Sequence, residues 1–146
     1  MDNSCIINFK GEYMIKSKWV QDLTEMHTKF GVNPIIRELN KEKLQAFLDF
    51  RIKFLQEELD EMKSAKSADD VVDALIDLCV VAIGTLDAFD VQSDTSWDRV
   101  HAANMAKNVG IKAERPNPLG LPDLIKPIGW QAPSHIDNVG MFAKLF

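Results

Sequence analysis

Apolar side chains recur at intervals of three and four along most of this 146-residue chain, the mark of amphipathic helices. Val20, Leu23, Met26, His27 and Phe30 predict a first helix from about Ser17 to Phe30, stopped by Gly31, with Pro34 in the connection that follows. Leu44, Phe47, Leu48, Arg51, Phe54, Leu55, Glu58 and Met62 follow one broad face of a second, longer helix that opens at Asn40, a good cap, and runs to about Ser64. Ser67 with Asp70 makes a capping-box pair before a third helix that reaches Phe89. So short a connection between two long helices predicts an antiparallel hairpin. Thr95 with Asp98 repeats the capping signal before WDRVHAANMAKNVG, a fourth helix stopped at Gly110. Five of the six prolines fall between Arg115 and Ser134 and exclude regular helix there, while Ser134 with Asp137 caps a last short helix carrying Ile136, Val139, Phe142 and Phe146. Only CIINF near the start reads as a strand. The expectation is an all-α antiparallel four-helix bundle over residues 18–146, with residues 1–17 as an N-terminal extension and a Pro-rich loop near the C-terminus.

The third helix raises a chemical question. In VVDALIDLCVVAIG, Asp73 and Asp77 sit four residues apart, on one face, among apolar neighbours. An ionised carboxylate drawn out of water costs several kcal/mol unless it is paired or bound to a cation. No lysine or arginine lies between Val71 and Phe89. On the second helix, FLQEELDEMK puts Glu58 and Glu61 on a shared face, with Glu57 about 100° round and Asp60 pointing elsewhere. The hairpin can bring both sets together, and the missing partner is then a metal. All-oxygen ligation suits Mg²⁺, or Mn²⁺, and magnesium commonly completes its shell with water and substrate phosphates. A di-iron site of the ferritin type would need Glu-x-x-His pairs, which are absent. His27 and His101 read as packing residues, and Gly84 inside the third helix predicts a close helix approach.

Charge sharpens this picture. The net charge of −5 leaves no global positive field for a nucleic-acid polymer or an anionic membrane, so a polyanionic ligand needs bound cations. Cys5 and Cys79 show no metal or redox spacing, and the first residues show no export signal, which fits a cytoplasmic setting. Arg51, nearly two turns before Glu58 on the same face, is a candidate to hold phosphates, and Lys107 is a second. Trp130 is either a lid over a base or an anchor for the long loop.

The E-E-x-x-E of Glu57, Glu58 and Glu61, followed by an apolar helix bearing acidic residues, resembles the all-α nucleoside triphosphate pyrophosphohydrolases of the MazG-like superfamily. VQDLTEMHTKFGV, VHAANMAK and KPIGWQAP resemble the branch of phosphoribosyl-ATP pyrophosphohydrolase and dUTP-hydrolysing MazG-like enzymes. The resemblance implies Mg²⁺-dependent cleavage between the α and β phosphates of a nucleoside triphosphate, in dNTP pool control or cleansing. Phosphoribosyl-ATP hydrolysis, or a catalytically impaired nucleotide-binding or partner-binding relative, is the alternative. It further implies Glu58, Glu61 and Asp77 as metal ligands, Glu57 as the carboxylate that takes a proton from water, and Asn104 as a substrate-binding amide. The superfamily pattern puts a glutamate where this chain has Ala74, and Asp73 is expected to serve as the auxiliary ligand. A homodimer or homotetramer is expected, because the third helix is apolar nearly all round.

Overall fold

The computed structural model describes residues 17–146 and, for the backbone, 5–7 and 13–15. Among these residues five α-helices dominate: α1 (Lys18–Lys29), α2 (Val32–Arg37), α3 (Lys41–Ser64), α4 (Ala68–Ala88) and α5 (Ser93–Met105). Among the described residues β1 (Cys5–Ile7) pairs with β2 (Tyr13–Ile15) and β3 (Asn108–Gly110) with β4 (Asp123–Ile125), both antiparallel. The strand expected at CIINF is thus present over its first three residues, and its last two lie outside the described ones. The chain divides into two compact units, residues 1–94 with 138–146, and residues 95–137.

In the first unit α1 and α3 both pack against α4, and α2 touches α1 and α4. The helix starts follow the local chemistry. Asn40 caps α3 by accepting from the Lys43 amide at 2.9 Å, and Ser67 and Asp70 form a full capping box at α4. Arg51 of α3 reaches Val81 and Thr85 of α4, whereas Glu58 lies near Asp77 and Asp73, so the two helices run antiparallel as expected. Pro34 is a correction: it lies inside α2 and not in a loop. Gly31, at φ 67°, ends α1 and caps α2, and a proline in a first turn gives up only an N–H that has no helical partner.

The core gathers at the end of the hairpin away from the α3–α4 turn. Leu44 and Phe89 are fully buried there, with Ile36, Ala88, Val91, Met141 and Leu145 around them. Phe89 stacks on Phe142 at 4.0 Å between centroids, and Phe47 lies 5.9 Å from Phe89. The C-terminal segment is therefore part of this core, through a 3₁₀ turn (Gly140–Lys144) that replaces the helix expected from Ser134. Gly140 makes the junction possible: it sits at φ 51°, and a Cβ there would stand 2.1 Å from the Phe89 carbonyl oxygen. Gly140→Ala should cost about 3 kcal/mol through backbone strain and displaced packing. A lowered urea midpoint with an unchanged slope would register it.

Helix α5 starts at Ser93, two before Thr95, and stops in the second unit at Met105, five residues short of the expected Gly110. Residues 108–110 are a strand instead, because Asn108 pairs with Ile125 and Gly110 with Asp123. Arg99 forks onto Asp137 at 2.6 and 2.8 Å and donates to the Ser134 carbonyl at 3.0 Å, so Asp137 clamps the loop rather than capping a helix. Its hydrogen bonds from Arg99 hold the Asp137 carboxyl at about 2. The Trp130 indole donates to the Ala103 carbonyl at 2.7 Å and ties the Pro-rich segment to α5, the anchoring role of the two considered.

Candidate metal and nucleotide site

The α3–α4 hairpin brings the five predicted carboxylates into one electrostatic neighbourhood. Glu58 is half-buried, and its Oε2 is covered without a hydrogen-bond partner. Burial, then the charges of Glu61, Asp77, Glu57 and Asp73 in that order, push the Glu58 carboxyl above the usual range. Asp60 is indeed elsewhere, paired with Lys63 at 2.9 Å. A cavity of about 260 Å³ at the α3–α4 turn is lined by Glu61, Ser64, Ala65, Lys66, Asp70 and Asp73. Ala74 is buried, so position 74 supplies no carboxylate, and Asp73 is the acidic group beside it.

One expectation needs correction. Asp73 and Asp77 were expected to be enclosed by apolar neighbours, yet Asp73 is exposed, Asp77 half-buried, and Val72, Leu75 and Ile76 are 60%, 46% and 44% exposed. The apolar positions of that part of α4 thus face outward as well as inward. Among the described residues no three His, Cys, Asp or Glu side chains are arranged to hold a metal ion. The donors nevertheless fit a hard divalent cation in kind. They are all oxygen, one covered oxygen has no partner, and Glu61 and Asp73 are exposed, free to change rotamer. Glu58, Glu61, Asp73 and Asp77 are the residues that would hold it.

Arg51, the candidate phosphate holder, lies half-buried between α3 and α4. Its Nε donates to Thr85 Oγ1 and its Nη2 to the Val81 carbonyl, both at 2.9 Å, and burial lowers its pKa. Among the described residues it makes no ion pair, and its two hydrogen bonds pin α3 to α4. The close approach predicted at Gly84 is present: a Cβ there would lie 3.2 Å from Arg51 Nη2, 3.3 Å from Leu23 and 3.4 Å from His27.

Sequence reasoning missed the polar network around Asp87. His27 is buried, as expected of a packing residue, but its Nδ1 lies 2.8 Å from Asp87 Oδ2. Asp87 also accepts from Thr24 Oγ1 at 2.7 Å and Asn33 Nδ2 at 3.0 Å. Burial alone would raise the Asp87 carboxyl, but the bonds from His27, Asn33 and Thr24 outweigh it and hold it at about 2. The one available signal was an aspartate close to the end of an apolar helix. Lys66 was missed too; as a turn residue it carried no periodic signal. In the second unit, Asn104 Oδ1 accepts from Lys107 Nζ at 2.8 Å, and His101 is exposed rather than packed.

The raised Glu58 pKa has a consequence for stability without metal. Its charged form is disfavoured in the fold, so stability is higher below the ordinary glutamate range and falls as pH rises through the raised value. Glu58→Gln is neutral at every pH and should melt above the parent at pH 7–8 in chelator, with the gap closing towards pH 4. Differential scanning calorimetry across that range checks it.

The phosphoribosyl-ATP pyrophosphohydrolase family model matches residues 33–104, a segment that holds α3, α4 and all five carboxylates. No curated protein matches the chain. The EExxE helix and the acidic α4 both lie inside the matched segment, and residues 33–104 carry a phosphoribosyl-ATP pyrophosphohydrolase family domain, within the MazG-like all-α superfamily.

Proposed function

We infer that the protein is a Mg²⁺-dependent nucleoside triphosphate pyrophosphohydrolase, cleaving the α–β phosphate bond of a deoxynucleoside triphosphate to a monophosphate and pyrophosphate in dNTP pool control. The family match supports pyrophosphohydrolase-type activity on a nucleotide. The single observation behind the finer reading is Glu58, a half-buried carboxylate with a covered, unpartnered oxygen, crowded by Glu57, Glu61, Asp73 and Asp77 and calling for a cation.

Divalent metal at this site supplies Lewis-acid neutralisation of phosphate charge and a lowered pKa for bound water. Glu58, Glu61, Asp73 and Asp77 bind and fix its position. Glu57, exposed beside Glu58, takes the proton from the attacking water. Asn104 and Lys107 hold the nucleotide, one through an amide that donates and accepts, the other through its ammonium. Arg51, which also ties α3 to α4, is the further candidate to hold phosphate. The outward apolar residues Phe50, Ile52, Val72, Leu75 and Ile76 support a homodimer or homotetramer, since a monomer rarely leaves so large an apolar surface uncovered.

The test is a panel of NTPs, dNTPs and phosphoribosyl-ATP, with and without Mg²⁺ or Mn²⁺, read by product separation. Metal-dependent monophosphate and pyrophosphate from a deoxynucleotide is the expected result. A diphosphate with orthophosphate would contradict it. Turnover confined to phosphoribosyl-ATP would favour the second reading, which the name of the matched family supports.

A further inference from the structure

Most cations of the second unit are neutralised by carboxylates. Arg99 is held by Asp137, while Lys112 and Arg115 share Asp123. Among the described residues Lys107 and Lys126 make no such pair, and both are gathered on one indole. Lys107 Nζ lies 5.2 Å and Lys126 Nζ 4.7 Å from the Trp130 ring centre. The ring itself is fixed by its bond to the Ala103 carbonyl and by the Trp130 amide donating to the Pro127 carbonyl at 3.0 Å.

The indole's electron-rich face attracts each ammonium, but it carries no net charge to cancel them. Asn104 Oδ1 orients Lys107 and is also neutral. The two charges are therefore no further apart than about 10 Å, about one Debye length at 0.1 M salt, and repel each other. An anion with several oxygens along a chain relieves this repulsion by reaching both, whereas a single carboxylate satisfies one. In a chain of net charge −5, two unpaired lysines on one fixed ring are a local exception.

We propose that Lys107 and Lys126, organised by Trp130, form an oligophosphate-binding site for a pyrophosphate or triphosphate group. The binding stands on this cluster alone. Its use in holding substrate or leaving pyrophosphate rests on the pyrophosphohydrolase reading. Lys126 becomes a substrate-binding residue beside Lys107, and Trp130 a positioning residue.

Trp130 also provides the readout. Trp19 and Trp97 are 47% and 72% exposed, so a Trp19→Phe/Trp97→Phe chain should fold and leave Trp130 as sole indole emitter. Inorganic triphosphate, pyrophosphate and orthophosphate are titrated in chelator at constant ionic strength. The expected result is a saturable emission change, tightest for triphosphate and at least about tenfold weaker for orthophosphate. Lys126→Gln should weaken triphosphate about tenfold and the Lys107→Gln/Lys126→Gln pair should abolish the response, while Lys144→Gln leaves it unchanged. A triphosphate affinity in Lys126→Gln within twofold of the parent, or a response reproduced by sodium chloride, overturns the proposal. Saturable, lysine-dependent binding by a chain that hydrolyses nothing upholds this site and sinks the hydrolase reading. Turnover with normal KM in Lys126→Gln and no emission change does the reverse.

Discussion

Asp87→Asn should lower the stability of the fold by about 2–4 kcal/mol, because it leaves His27, Asn33 and Thr24 facing a group that can no longer accept all their bonds. The Asp87 side chain is only 10% exposed, so water cannot take over freely. The pH dependence identifies the cause. Asp87 titrates at about 2 in the fold, against about 4 for an unfolded aspartate. Its stabilisation is complete above the unfolded value and is lost as pH falls from about 4 through about 2. Urea titrations should show a parent advantage that is flat from pH 5 to 8 and shrinks below pH 4. An equal advantage at pH 3 and pH 7 would mean that lost packing, not charge, is responsible.

Asp77→Asn should act on catalysis instead. It removes one of the charges felt at Glu58 and one proposed metal ligand while keeping size and shape. The proposed reaction should slow by about 10³-fold, about 4 kcal/mol of barrier, with the Mg²⁺ needed for half-maximal rate raised. Circular dichroism should be unchanged, since Asp77 is only half-buried and among the described residues no salt bridge anchors it. A variant that keeps parental kcat at saturating Mg²⁺ would remove Asp77 from the site.

The helices were legible where local chemistry alone decides them. Asn40, the Ser67 and Asp70 box, and the three-and-four spacing of apolar residues placed α3 and α4 to within a residue. Features set by distant partners were not. Strand β3 exists because Asn108 meets Ile125, and α5 ends early for that reason. Pro34 was read by its general helix-breaking habit, which does not apply in a first turn capped by Gly31. Of the candidate site, i, i+3 and i, i+4 spacing was enough to bring the carboxylates together. It could not tell which way Arg51 points, a choice made by the Val81 carbonyl and Thr85 some thirty residues on. Nor could it reveal the Asp87 network, whose partners His27 and Asn33 lie 60 and 54 residues away in sequence.

Hydrolysis by this site requires that the carboxylate cluster hold the metal. The most direct measurement is a Mn²⁺ titration of parent and Glu58→Gln, following bound ion by electron paramagnetic resonance and monophosphate release in the same samples. Bound Mn²⁺ and product should rise together in the parent, and both should fall by at least about tenfold in affinity or rate in Glu58→Gln. Parental turnover in Glu58→Gln, or turnover in the parent that saturates with no ion bound, would contradict it.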